Sequence, residues 1–200
     1  MILLIDVGNT DTVFAIHNDD TYLTIKRIEK VEEISDALRK FSNYEITGVA
    51  ISSVVPKLTN ILSKEIQNIL KINPFIVRYE NANISLAIEK KLEVGADRIC
   101  NVKAATQITK QCCVVIDFGT ATTYDVINDK QEFIGGAIAP GIDVSAAYLI
   151  KKAALLKDTI LKFPETNIGK NTKTNIQSGV MYSALYSIEG MINNIKKELK

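Results

Sequence analysis

Asp6-Val7-Gly8-Asn9-Thr10 and Asp117-Phe118-Gly119-Thr120 each set a carboxylate, a glycine and small polar donors within a few residues. A glycine there lets a ligand approach the backbone where a Cβ would block it. Backbone N–H groups, with the amide of Asn9 and the hydroxyls of Thr10 and Thr12, can donate to phosphate oxygens. The carboxylate of Asp6 is a hard oxygen ligand, direct or through water, for the Mg²⁺ that travels with a nucleoside triphosphate. The second copy repeats the set with Asp117, Gly119, Thr120, Thr122 and Thr123. One such copy alone reads as a hairpin turn whose Asp and Gly serve the backbone. Two copies point to one shared ligand, and a polyphosphate suits two facing turns better than a monoanion does. A Walker A loop is absent, since Gly169-Lys170-Asn171 lacks both the upstream glycine and the Ser/Thr after the lysine. Phosphate binding here belongs to hairpins.

The elements that must hold these turns follow from apolar spacing. Ile2 to Ile5 reads as a buried strand, Thr12 to Ile16 as a second and Thr21 to Ile28 as a third, with Asn18-Asp19-Asp20 turning between them. Val31, Ile34, Leu38 and Phe41 recur at helical spacing. A strand over Ile46 to Val55 is stopped by Pro56; an amphipathic helix over Leu58 to Leu70 and a strand at Phe75 to Val77 follow. A further helix is expected from Ala96 to Ile108. The order then restarts, with strands at Cys113 to Ile116, Tyr124 to Ile127 and Phe133 to Ile138. A shift of 111 residues lays Ile5, Asp6, Gly8, Thr12 and Ile16 on Ile116, Asp117, Gly119, Thr123 and Ile127. A repeat of this length signals duplicated lobes and not a solenoid. The expected division is an N-terminal lobe over 1–110 and a C-terminal lobe over 111–200, with the cleft between them binding the nucleotide. A long helix through Met181 to Leu199 closes the chain, its Lys196, Lys197 and Lys200 suiting the C-terminal dipole.

Composition excludes several other classes. The 200 residues are 46% hydrophobic and 24% charged, a globular profile. A net charge of +1 leaves no bulk field to attract a nucleic acid or a membrane. No apolar run approaches the roughly 18 residues of a membrane span, and no signal-peptide pattern opens the chain. Three cysteines without zinc spacing suit a reduced, cytoplasmic compartment, and the lone His17 argues against His-based zinc or triad chemistry. Cys112 and Cys113 read as small hydrophobes at the start of a strand.

Four segments together resemble type III pantothenate kinases: Asp6 to Thr10, Gly95-Ala96-Asp97-Arg98, Asp117 to Thr123, and Gly135-Gly136-Ala137-Ile138-Ala139-Pro140-Gly141. The likeness runs from residue 1 to about residue 190. It implies an α/β fold of duplicated ribonuclease H-like lobes, that of the actin/sugar-kinase superfamily. It also implies ATP-dependent phosphorylation of pantothenate to 4'-phosphopantothenate, the first step of coenzyme A synthesis. Mg²⁺ carried with ATP, a monovalent cation (K⁺ or NH₄⁺) and a homodimer come with the resemblance.

By that resemblance Asp97 is the general base, and Gly95, Ala96, Asp97, Arg98 and Thr172 contact pantothenate. Asp6, Val7, Gly8, Asn9, Thr10, Asp11, Thr12 and Val13 form the first phosphate loop, and Thr120 contacts ATP. Asp117 is the monovalent-cation ligand. From position alone Asp97 is a carboxylate favouring a helix N-terminus, Arg98 a surface helix residue, and Gly169 to Thr172 a polar loop. Gly135, Gly136, Pro140 and Gly141 either shape a loop over the substrate or end a strand. Two departures stand out. Ile88-Glu89-Lys90-Lys91 replaces the family's aromatic and Asn-Pro pair, and the adenosine-binding end of the second lobe is missing, leaving that lobe shortened at its C-terminus. The competing expectations are an inactive relative with a regulatory or binding role, and another small-molecule phosphotransferase of the superfamily.

Overall fold

The computed structural model describes residues 1–19, 21–153 and 159–199, so Asp20 of the first predicted turn and Lys200 lie outside the described residues. The chain divides into two compact units, Met1–Thr109 and Lys110–Lys200. In the first unit the strands are β1 (Ile2–Val7), β2 (Thr12–Asn18), β3 (Thr21–Ile28), β4 (Gly48–Ser53) and β5 (Phe75–Ile76). They form one sheet in the order β3-β2-β1-β4-β5, with β1 antiparallel to β2 and parallel to β4. A two-residue strand, β6 (Ser85–Leu86), precedes the helix α3 (Ala96–Ile108).

The two faces of this sheet differ, and the difference positions the site. Leu3, Ile5 and Val7 are buried on one face beside Val49 and Ile51 of β4. The helices α1 (Ile34–Phe41) and α2 (Pro56–Leu70) cover that face with Ile34, Leu38, Phe41, Leu62 and Ile66. Phe14 stacks on Phe41 with ring centroids 5.7 Å apart. Alternation in a strand sends Asp6 to the opposite face, and in parallel register it stands beside Ser52 of β4. α3 packs against β4. The four apolar residues that open the chain are therefore one buried face and one half-covered face, not a strand buried on both.

The second unit holds β7 (Cys113–Phe118), β8 (Ala121–Ile127) and β9 (Glu132–Pro140), antiparallel in the order β9-β8-β7. Its helices are α4 (Ile142–Lys152) and α5 (Thr172–Glu198), and α4 packs on both α5 and β8. The strand expected at Phe133 to Ile138 is borne out as β9, which runs through Gly135 and Gly136 to Pro140, so of the two readings of this segment the strand holds and the loop does not. Two expectations change here. Gly141 then heads α4, which the sequence did not suggest. Thr172 is the first residue of α5 and not part of a polar loop; Asn171 caps the helix, its Oδ1 accepting from Thr174 N–H at 2.9 Å.

Strand register also corrects the alignment of the two hairpins. Val7 pairs with Thr12, and Phe118 pairs with Thr122. The second turn is thus one residue shorter, and Thr12 corresponds to Thr122, not Thr123. Burial agrees: Thr12, Phe14 and Ile16 are buried in β2, as are Thr122, Tyr124 and Val126 in β8. A run of threonines conceals a one-residue offset, because the shifted alignment still lays Thr on Thr.

Candidate functional site

The first turn closes with Gly8 N–H donating to Asp11 O at 2.9 Å, which continues the β1–β2 ladder around a four-residue loop. Asn9 and Thr10 are exposed at its tip. Val7 and Thr12 are 1% and 3% exposed, so what they offer a ligand is backbone. Val13 is half-buried on β2, paired with Arg27 of β3. A cavity of about 300 Å³ opens beside the turn, lined by Gly8 to Thr12 together with Glu29, Lys30, Lys57 and apolar side chains. Its two lysines are matched by the carboxylates of Asp11 and Glu29, so what the turn offers an anion is its exposed amide and hydroxyl donors.

The charges of Asp6 and Asp97 both act on Cys100. Asp97 is the second residue of α3, and Cys100 lies one turn further on the same side of the helix. Burial pushes the Cys100 thiol above its ordinary pKa, Ser52 eases its ionisation, and the negative charges of Asp6 and Asp97 push it up again. Both carboxylates therefore influence one thiol, although ninety residues of chain separate them. Ser52 Oγ is buried among these groups without a hydrogen-bond partner of ordinary geometry. Sequence reasoning missed Ser52 and Cys100. Ser52 is identifiable only from the β1–β4 register, whereas Cys100 carries a readable signal in its helical spacing from Asp97.

Gly95 explains how Asp97 is held. The Arg98 N–H donates to Asp97 Oδ1 at 2.7 Å, folding the carboxylate back over the helix start. A Cβ on Gly95 would stand 2.4 Å from that oxygen and 3.1 Å from Val54 Cγ1. Only glycine leaves the carboxylate in place. Gly95 and Ala96 also line a cavity of about 640 Å³ with Ser53, Val54, Arg78 and Tyr79. Arg98 is half-buried on α3, next to Asp97.

In the second unit, Gly119 N–H donates to Ala121 O at 3.0 Å, and Gly141 N–H to Thr120 O at 3.0 Å. A Cβ on Gly141 would lie 2.1 Å from Gly119 O and 2.7 Å from Thr120 O, so the start of α4 is pressed onto this turn. Asp117 faces Thr123 across the β7–β8 ladder. Cross-strand partners share a face, and Thr123 Oγ1 is buried with no hydrogen-bond partner. An orphaned hydroxyl beside a carboxylate suits a weakly hydrated monovalent cation, which takes oxygen ligands. Thr172 is exposed at the head of α5. Among the described residues no group of three or more His, Cys, Asp or Glu side chains could hold a metal by itself. A divalent ion that arrives on a triphosphate asks less, since Mg²⁺ is commonly held by one or two carboxylates plus phosphate oxygens. Asp6 meets that requirement. No described helix is long and apolar enough to cross a membrane.

Comparison with known proteins agrees over the whole chain. The sequence model of type III pantothenate kinases matches residues 2–194. A type III pantothenate kinase of Dictyoglomus turgidum is 38% identical over 212 residues, covering 100% of this chain and 83% of its own. That of Moorella thermoacetica is 38% identical over 211 residues with the same coverage. Among solved structures, a protein from Campylobacter jejuni described as a conserved Baf family transcriptional activator superposes with a TM-score of 0.59 at 21% identity. It covers 94% of this chain and 78% of its own, and at that identity the likeness speaks for the fold alone.

Proposed function

The chain belongs to the type III pantothenate kinase family, and from that premise we propose how its own residues move a phosphoryl group from ATP to pantothenate. The observation that carries the reading is Asp97 at the head of α3, held there by Arg98 N–H and by the space that Gly95 leaves, on a helix that packs against β4, the strand paired with that of Asp6. Phosphoryl transfer asks a protein for positioning, for charge stabilisation and for one group to take the hydroxyl proton. Asp97 takes that proton from the primary hydroxyl of pantothenate. The hydroxyl oxygen then bonds to the γ-phosphorus as the bond to the β,γ-bridging oxygen breaks, and ADP leaves.

The first turn, Asp6 to Val13, cradles the polyphosphate through Gly8 and its neighbouring N–H groups and the side chains of Asn9 and Thr10. Asp6 holds the divalent cation, Mg²⁺ in our reading, directly or through water; that ion supplies charge neutralisation on the phosphates. Thr120 in the second turn meets the nucleotide. Asp117, with Thr123 as a second oxygen, holds K⁺ or NH₄⁺. Pantothenate contacts Gly95, Ala96, Asp97, Arg98 and Thr172; of these, Gly95 and Ala96 border the cavity described above. Arg98 offers its carboxylate a two-pronged partner.

We read the two units as duplicated lobes of the actin/sugar-kinase superfamily, over 1–110 and 111–200. The first lobe has five strands in its sheet. A cytoplasmic homodimer is the working assembly. A regulatory role without catalysis is not favoured, because relatives 34–38% identical are named as kinases.

The test is a coupled ADP-release assay on the full chain with pantothenate, a panel of sugars and acetate, with and without K⁺. Turnover on pantothenate alone, raised by K⁺, is the expected result. Folded protein that turns over a sugar or acetate and not pantothenate would overturn the proposal. Light scattering reads the assembly, and a strict monomer would remove the dimer.

A further inference from the structure

A turn that cradles a polyphosphate should not carry an acid, yet Asp11 is the residue that closes the first turn. Its position is unfavourable in detail. Asp11 O closes the turn on Gly8 N–H, and Asp11 Oδ1 lies 3.7 Å from where a Cβ of Gly8 would stand. The carboxylate thus hangs over the glycine at which a phosphate would make its closest approach. Left alone, it would repel the ligand that the surrounding N–H groups attract.

The neighbouring strand supplies the remedy. Arg27 of β3 sits opposite Val13 of β2, and its Nη1 donates to Asp11 Oδ2. The Asp11 side chain is only 24% exposed and that of Arg27 is 66% exposed. The acid is the inner partner, and the guanidinium covers it from outside. We propose that Arg27 is a positioning residue for the kinase reaction: by neutralising Asp11 it makes the first turn electrically fit to hold MgATP. Arg27 acts through Asp11 and needs no contact with the nucleotide. An exposed ion pair of this kind contributes little to folding, so its value lies in the charge of the turn. The inference rests on the proposed binding of ATP at Asp6 to Val13.

The charge account fixes an order of four proteins. The pair is neutral in the parent, negative by one unit in Arg27→Ala, positive by one in Asp11→Asn, and neutral again in the double variant. Steady-state kinetics with MgATP varied at saturating pantothenate should follow that order. Arg27→Ala is expected to raise KM for MgATP about tenfold with kcat nearly kept, the scale of one uncompensated charge near a polyphosphate. Asp11→Asn is expected to lower KM for MgATP about threefold by the same reasoning with the sign reversed. The double variant should return to within about twofold of the parent, which loss of a merely structural contact would not do.

A double variant as poor as Arg27→Ala would overturn the proposal, because Arg27 would then act on the nucleotide or the fold directly. So would an Arg27→Ala protein with unaltered KM. Should Arg27→Ala fail to fold, Asp11→Asn decides alone, since a rise in its KM for MgATP contradicts the charge account. Asn9→Ala and Thr10→Ala separate the two levels. If they raise KM for MgATP while the Arg27 series stays flat, only this inference fails. If they too leave it unaltered, the turn does not hold ATP.

Discussion

Asp6 and Asp117 occupy the same place in their hairpins, each second from the end of its strand, but their neighbours differ. Asp6 lies between two strands, with Val13 on one side and Ser52 on the other, and α3 packs on the flanking strand β4. That arrangement delivers Asp97 and Cys100 to it. Asp117 has Thr123 across its ladder, and β7 pairs on that one side only among the described residues. The apolar side chains of β7 are correspondingly half-buried or, at Phe118, exposed, whereas Leu3, Ile5 and Val7 of β1 are fully buried. One hairpin thus carries an exposed carboxylate, Asp6, with a flanking strand and helix that bring further polar and acidic groups toward it. The other presents hydroxyls and a short, tightly braced turn suited to binding. A shared motif set the two turns, and the elements packed around each decide what it does.

The largest expected effect comes from removing the group that only the first unit supplies. Asp97→Asn keeps the size and helix position of the residue and discards its basicity. A positioned base is worth about 10²–10⁴ in rate, so kcat should fall on that scale while MgATP binding, read by calorimetry, persists. Full activity would remove Asp97 from the mechanism and leave the first hairpin no more chemical than the second.

Next comes a pair of equal substitutions in unequal places. Gly141→Ala puts a methyl 2.1 Å from Gly119 O, a backbone atom that cannot move aside, whereas Gly8→Ala meets Asp11 O at 3.3 Å. Overpacking of this sort costs about 1–3 kcal/mol. Gly141→Ala should therefore lower the thermal midpoint clearly, with Gly8→Ala close to the parent in stability. Equal midpoints would mean that the second turn is no more tightly braced than the first.

The hydroxyls without partners sharpen the contrast further. Ser52 and Thr123 each leave a buried oxygen unsatisfied beside an acidic residue, a state that costs stability unless a ligand completes it. Thr123→Val should leave the unliganded protein as stable as the parent or slightly more so. It should raise the K⁺ concentration for half-maximal activity about tenfold, the scale of one lost bond to a charged group. Ser52→Ala, on β4 beside the hairpin assigned the divalent ion, should leave the K⁺ response alone. If both variants shift it alike, the division of labour between the hairpins is wrong.

How much of this could be read from residues alone depends on how local the signal is. α3 was legible because Gly95 and Asp97 mark its start and Ile108 its end. α4 was not, because Pro140-Gly141 reads as a stop, and in Ile142 to Lys152 only Ala146 is buried. The first turns of α5 were hidden because Thr172 to Gly179 looks polar, although Asn171 is a recognisable cap. The site divides the same way. Asp6 and Asp97 stand out through the motifs around them. Ser52, the Asp11–Arg27 pair and the Asp117–Thr123 juxtaposition depend on which residues face one another across strands, and register between strands is written in packing and not in spacing.

The smallest effect concerns the thiols, and it tests the influence of the carboxylates on Cys100 by a readout other than activity. Cys112 is exposed, while Cys100 is half-buried with a pKa raised first by burial and then by the two carboxylates. The thiolate is the reactive form, so at pH 8 iodoacetamide should label Cys112 well before Cys100, as peptide mass spectrometry would record. The sign for stability follows from the same shift. Unfolding frees the Cys100 thiol to ionise at its ordinary, lower pKa, so the unfolded chain binds fewer protons once pH passes that value. The contribution of the neutral thiol is whole below the ordinary thiol pKa and declines as pH rises through the raised one. Cys100→Ala should flatten that alkaline decline in chemical-denaturation midpoints. Asp97→Asn, by withdrawing one of the two charges, should speed labelling of Cys100 modestly. A labelling rate indifferent to Asp97 would mean that the carboxylates do not act on the thiol, and the first hairpin would lose its claim to the chemistry.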